Sequence, residues 1–441
     1  MRRMIAAAGL LLLTIAAFSP ARSAQAEGIN VISQNAQNRF PNGVQLTIIA
    51  SSSAPIQEVR LRYRVPPDGA NVSGNPQCNG IGTNNVSCTI TVGSSMINFL
   101  VPGVEVHHSW EIRDAAGNSL QTDTAVFTYQ DDRFQWKSIA DGNITAYYYS
   151  GSDDTNRAIL RAARESIDKN SRLLRTSVTF PVKLFIYATA ADMQPAIATN
   201  NRIQPRGPTS VTLGEVVYSD TALVSRDTLP LDIARHEISH VVMRQATKGH
   251  IVELPTWIDE GTAVYSQNNL LQDELQALDL AIRRNLVLPF TSLGSSSLTQ
   301  TDTSLFYAQA WSVIKFLVET YGDGKFADFI AAHKDNRTQD AMRKVYGFGL
   351  DDLENQWRRN VGLPPVTETG GPAGGGNQPS QAATPSGAGQ GQPSAGQSNE
   401  SNNGGGSSLT LIVGAITAVV ALSVLGAGFV IARRRTPGPP S

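Results

Sequence analysis

The period of the apolar positions changes along the chain. From Gly28 to about Asp131, apolar and polar residues alternate: Val44, Leu46 and Ile48; Val59, Leu61, Tyr63 and Val65; Val86, Cys88, Ile90 and Val92; Val104, Val106, His108, Trp110 and Ile112; Ala125, Phe127 and Tyr129. Turn-forming runs separate these groups, among them Pro41-Asn42-Gly43, Pro66-Pro67-Asp68-Gly69 and Asp114-Ala115-Ala116-Gly117. A period of two sends successive side chains to opposite faces of a sheet. Residues 27–131 are therefore predicted to form a small antiparallel sandwich of immunoglobulin-like size. His107 and His108 fall mid-strand, one on each face, and read as structural residues.

Beyond Asp132 the pattern becomes α plus β. Ile144 to Tyr149 and Pro181 to Tyr187 predict strands, and Val216 to Tyr218 a third. Between the first two, Ile159, Ala162, Ala163, Ile167 and Leu173 recur at helical spacing. Later stripes are helical too: Phe306, Ala310, Val313, Ile314 and Leu317; Phe326, Phe329 and Ile330; Ala341, Met342 and Val345; Leu353, Trp357 and Val361. These positions predict an α+β domain over residues 132–366 that ends in a helical lobe.

The two ends carry no such period. Arg2 and Arg3 precede an apolar run from Met4 to Phe18, and Ala24-Gln25-Ala26 follows. That order predicts a secretory signal peptide over residues 1–26. Residues 367–408 are mostly Gly, Ser, Gln, Pro, Asn and Ala, with three threonines and two glutamates. Such a segment buries too little to offset its ordering entropy, so a disordered linker is expected, reaching roughly 35–40 Å. Leu409 to Ala432 is an uncharged apolar stretch of about 36 Å if helical, followed by Arg433, Arg434 and Arg435. One transmembrane helix is expected at 409–432, with a cytoplasmic tail at 433–441 and the preceding domains extracellular. The wall-anchoring signal Leu-Pro-x-Thr-Gly is missing, since Leu363-Pro364-Pro365-Val366-Thr367 does not fit it.

Composition narrows the class. A net charge of −1 over 441 residues does not suggest a nucleic-acid binder. The leader and the tail each hold three arginines and no acid, so the part between them carries −7. Two cysteines exclude a disulfide-dense scaffold and a four-cysteine zinc module. In an oxidising compartment Cys78 and Cys88 are expected to pair as a structural disulfide.

The candidate chemistry lies in His236-Glu237-Ile238-Ser239-His240, within a helical pattern that Pro230 opens and Gly249 stops. Spacing of i and i+4 stacks the two imidazoles on one helix face, where they can share a metal. Glu237 is then placed to act as general base toward a water on that metal. A second helix is predicted from Leu254-Pro255-Thr256-Trp257-Ile258-Asp259-Glu260-Gly261-Thr262-Ala263, with Glu260 about twenty positions past His240. Two imidazoles and one carboxylate leave a fourth zinc position open, which suits catalysis rather than a closed structural site.

The His-Glu-x-x-His helix followed by Trp-x-x-Glu-Gly-x-Ala resembles the gluzincin metallopeptidases, and most of all the peptidase MA-like domains of secreted and membrane-anchored bacterial proteins. The resemblance spans roughly Ile144 to Asn360. It implies Zn2+ as cofactor, His236, His240 and Glu260 as ligands, Glu237 as the base, and a peptide or protein substrate held between a sheet-bearing half and a helical lobe. Asp259 either supports the ligand beside it or serves as a favourable acid in a first helical turn. Tyr307 is the candidate oxyanion stabiliser, its other role being a core tyrosine; His250 is the next candidate. Two patterns are missing. There is no Gly-x-Met-Glu-Asn stretch of the aminopeptidases, and positions 243 and 246 hold Met and Ala where the metzincins require Gly and His. The alternative function is surface binding or adhesion by a sandwich that carries a catalytically silent peptidase-like module.

Overall fold

Alternation in the first hundred residues produces two antiparallel sheets. The computed structural model describes residues 28–66, 69–93, 100–197, 210–212, 214–218, 220–252, 254–290, 293, 300–366 and 421–423. The expected signal peptide, the linker, the arginine tail and all but three residues of 409–432 lie outside these. The described residues fall into two compact units, one within Met1–Ser171, Ser177–Gln245 and Val419–Ser441, the other within Arg172–Thr176 and Ala246–Ala418.

The first unit starts with the strands β1 (Ile29–Asn38), β2 (Val44–Ser52), β3 (Ile56–Arg64), β4 (Val72–Gly74), β5 (Gln77–Asn79), β6 (Asn85–Val92), β7 (Glu105–Asp114), β8 (Ser119–Gln121) and β9 (Ala125–Thr128). One sheet runs β1-β2-β6-β5; the other runs β4-β3-β7-β8, with β9 also paired to β7. Val44, Leu46, Ile48 and Ala50 of β2 and Val106, Trp110 and Ile112 of β7 are fully buried and belong to one apolar cluster. Cys78 and Cys88 stand directly opposite each other on β5 and β6 and are disulfide-bonded. β1 has no apolar alternation; its backbone pairing along β2 makes it a strand.

The same unit continues with β10 (Lys137–Asp141), β11 (Ile144–Tyr148), α1 (Asp153–Leu173), β12 (Val182–Tyr187), α2 (Ala190–Ile197), β13 (Ser210–Thr212), β14 (Gly214–Tyr218), β15 (Thr221–Ser225) and α3 (Pro230–Ala246). They form a sheet of order β10-β11-β12-β15-β14. Its three central strands are parallel and its edges antiparallel. Parallel neighbours need a crossover, and α1 supplies it between β11 and β12. Ile159, Ala162, Ala163, Ile167 and Leu173 of α1 are all buried. Every residue of β15 is buried, as the centre of a covered sheet requires.

The sandwich and this sheet share one core. The sandwich cluster extends into Phe185, Tyr187 and Leu223 and takes in Phe134, Trp136, Tyr147 and Tyr149. Asp131 is fully buried at the junction. It accepts hydrogen bonds from Arg133 Nε (2.8 Å) and Nη2 (2.6 Å) and from the Tyr187 hydroxyl (3.1 Å), while its carbonyl accepts one from Trp136 Nε1. Burial, and then the charge of Asp131, push the Tyr187 phenol far above its ordinary range. Gly103 (φ +86°) meets Phe185 so closely that a Cβ there would lie 2.5 Å from the ring.

The second unit is helical: α4 (Thr256–Ser266), α5 (Gln272–Arg284), α6 (Gln300–Tyr321), α7 (Asp323–Ala332), α8 (Thr338–Tyr346) and α9 (Leu350–Asn360). α4 and α5 both pack on α6, and α7 packs on α8.

One expectation is corrected. Among the described residues no helix is long and apolar enough to cross a membrane. The described part of the apolar stretch, β16 (Ala421–Ser423), is a strand paired antiparallel with β13. A short apolar piece such as Ala421–Ser423 suits a strand as well as a helix, because so few residues carry no period. Here its backbone closes hydrogen bonds with Ser210–Thr212. The architecture is thus an N-terminal all-β region followed by a helical domain, with no membrane-spanning helix among the described residues.

Candidate metal centre

The helix α3 begins at Pro230, where a missing N–H is tolerated because the first helical turn leaves its donors unused. Asp232 to Met243 are all buried. The helix is therefore covered on every side, which is why its apolar stripe is broad. His236 and Glu237 are fully buried and His240 is 1% exposed. The two imidazole rings lie 5.0 Å apart, edge to face at 74°.

Glu260 is on α4, which starts behind Pro255 and buries Trp257, Ile258, Glu260 and Gly261. The ligand atoms of His236, His240 and Glu260 all lie within 4.8 Å of one another, and all three residues are buried. A carboxylate at that depth costs several kcal/mol unless donors or a cation compensate it. Two imidazoles and a carboxylate are the donor set of an open zinc site, so the residues present fit that ion.

The glycine after Glu260 has a packing reason. A Cβ on Gly261 would lie 2.7 Å from the carbonyl oxygen of Ala310 and 2.8 Å from Ile314 Cγ1. α4 and α6 thus meet backbone to backbone beside the candidate ligand. Tyr307 is one turn before Ala310 on α6, 6% exposed, with its ring edge-on to Phe306 at 5.4 Å.

The other candidates are dispersed. His250 lies on the turn after α3 and is half-buried; burial, and then the charge of Lys334, lower its pKa. Asp259 is partly exposed in the first turn of α4. Cys78 and Cys88 belong to the sandwich. Three residues on or against α3 escaped the sequence pattern: Ser166 and Asn170 on α1, and Arg235 on α3 itself. All three are buried. Their trace in the sequence is two polar residues spaced one turn apart on the apolar face of α1.

The buried His-Glu-x-x-His helix and the buried carboxylate of the next helix together form a group that could hold a metal ion. Residues 162–362 match the family model of the Peptidase MA superfamily. No curated protein matches the chain. Among solved structures, the chain is similar to a bromine derivative of a carbohydrate-binding module, BhCBM56, with 11% identity over 24% of this chain and 97% of that one and a TM-score of 0.17. It is also similar to a family 56 β-1,3-glucan-binding domain, with 19% identity over 22% of this chain and 95% of that one and a TM-score of 0.15.

Proposed function

We propose that the peptidase MA-like domain is a zinc-dependent peptidase acting outside the cytoplasm. The observation that carries this reading is the convergence of the buried His236, His240 and Glu260, with Glu237 next to the first of them on the same helix. Zinc held by these three residues would supply Lewis acidity to a water and to the scissile carbonyl.

The remaining work falls to the protein. Glu237 accepts a proton from the attacking water on its carboxylate and passes it to the departing amine nitrogen. Its burial keeps bulk water from competing for that proton. The Tyr307 hydroxyl donates a hydrogen bond to the oxygen on which negative charge develops. The substrate is a peptide or protein. The disulfide between Cys78 and Cys88 supports an oxidising compartment, as does the leader-like sequence of residues 1–26.

The test begins with metal content. The purified chain should hold about one zinc, and His240→Ala should lose it. Glu237→Gln should keep the zinc while peptide hydrolysis falls by at least about a thousandfold. Retained turnover in Glu237→Gln would remove the catalytic assignment. A folded parent chain that takes up no zinc would favour the alternative of a binding protein with a silent peptidase-like module.

A further inference from the structure

The buried polar side chains on α1 point to a second layer behind the metal helix. Ser166 is 1% exposed and donates its hydroxyl to the backbone carbonyl of Arg235 at 2.7 Å. Arg235 immediately precedes His236. Asn170, also fully buried, donates from Nδ2 to the Ser166 carbonyl (3.0 Å) and to Ser166 Oγ (3.1 Å). The Ser166 oxygen thus accepts from Asn170, which leaves its own proton for Arg235. The Arg235 side chain is tied as well: Nη1 to Asp232 at 3.2 Å and Nη2 to Glu165 on α1 at 2.8 Å. Residue 235 is therefore bound to α1 through both its carbonyl and its guanidinium.

We infer that Ser166 is a positioning residue for the metal ligands, resting on the metal-site reading above. The physical argument is one of register. A carbonyl inside a helix already accepts the N–H four residues on, so it does not need a second donor. The extra donor comes from another helix and is itself held by Asn170. It fixes where α3 lies along and around its axis relative to α1. His236 and His240 ride on that helix, so a slip of about 1 Å would move both imidazoles together. Groups that orient metal ligands from behind typically carry ten- to a hundredfold in metal affinity. The Arg235–Glu165 pair alone cannot do this, because Glu165 is largely solvent-exposed and its side chain can follow a moving guanidinium.

The experiment measures zinc affinity by chelator competition, and the visible spectrum after loading with Co2+, in the full chain and three variants. Ser166→Ala removes the donor. Ser166→Cys keeps its volume with a weak donor and serves if the alanine variant does not fold. Ser166→Thr restores the hydroxyl. We expect zinc affinity to fall about tenfold or more in Ser166→Ala and Ser166→Cys, with a shifted cobalt band. Ser166→Thr should return both to within about threefold of the parent. Affinity and spectrum unchanged in Ser166→Ala or Ser166→Cys, even with a lowered melting temperature, would reduce Ser166 to a packing residue. Failure of the parent chain to bind either ion would overturn the metal site itself, and this inference with it.

Discussion

Replacing Gly261 by alanine should loosen the proposed metal centre from the position next to Glu260. In an ordinary helix that substitution gains about 1 kcal/mol, because alanine loses less backbone freedom on folding. At Gly261 the new methyl would sit 2.7 Å from the Ala310 oxygen, 2.8 Å from the Ala310 carbonyl carbon and 2.8 Å from Ile314 Cγ1. An ordinary contact starts at about 3.4 Å, so α4 and α6 must separate there by about 0.7 Å. Two of the three obstructing atoms are backbone and cannot turn aside as a side chain can. Overpacking of this kind costs about 1–3 kcal/mol, and the rigidity of the obstacle favours the upper end. The net is a destabilisation of about 2 kcal/mol, or roughly 6 °C in melting temperature for a unit of this size. Glu260 moves with the displaced turn, so zinc affinity should fall about tenfold as well. Thermal melting of the metal-free chain and chelator competition check the two parts separately. A Gly261→Ala chain that melts at or above the parent, with the same zinc affinity, would refute the idea that this close helix approach places the ligand.

Three further outcomes follow from buried charge. Asp131→Ala removes the acceptor shared by Arg133 and Tyr187 and should cost about 3 kcal/mol in urea denaturation; no loss would mean that Asp131 does not join the sandwich to the sheet. Burial pushes His108 down to about 4 from its ordinary 6.5. As pH falls below 6.5 the unfolded chain takes up that proton first, so the His108 contribution is full above pH 6.5 and lost toward pH 4, about 3 kcal/mol in all. His108→Phe should flatten that slope; an unchanged slope refutes the assignment. Glu274 works in the opposite sense. Burial raises its carboxyl from 4.5 to about 8, so its contribution is full below pH 4.5 and lost as pH rises through 8. Glu274→Gln keeps an acceptor for the Leu271 N–H and should be more stable than the parent by about 4 kcal/mol at pH 8.5. Equal stability at that pH would show that the carboxylate is solvated.

Local periods carried much of the architecture. Alternation marked β2, β3, β6, β7 and β9, because each has one face in the core and one in water. β1 escaped, since it is held by its backbone pairing with β2 and buries little of itself. The apolar run at 409–432 misled as well. Its length argued for a helix, whereas the pairing of Ala421–Ser423 with β13 is a contact between distant segments that no local pattern marks.

The candidate site divides along the same line. That His236 and His240 face one way follows from 3.6 residues per turn and needs no tertiary context. That the ligand atom of Glu260 lies within 4.8 Å of theirs does not follow from any spacing within one helix. The tie from Ser166 to Arg235 joins positions 69 residues apart, and the node at Asp131 reaches Tyr187 across 56. Spacing along a chain encodes interactions within one element, because geometry there repeats every few residues. Contacts between distant elements repeat nothing. Whether a buried serine, aspartate or glycine is structural filler or a positioning group is decided only once folding has brought its partner beside it.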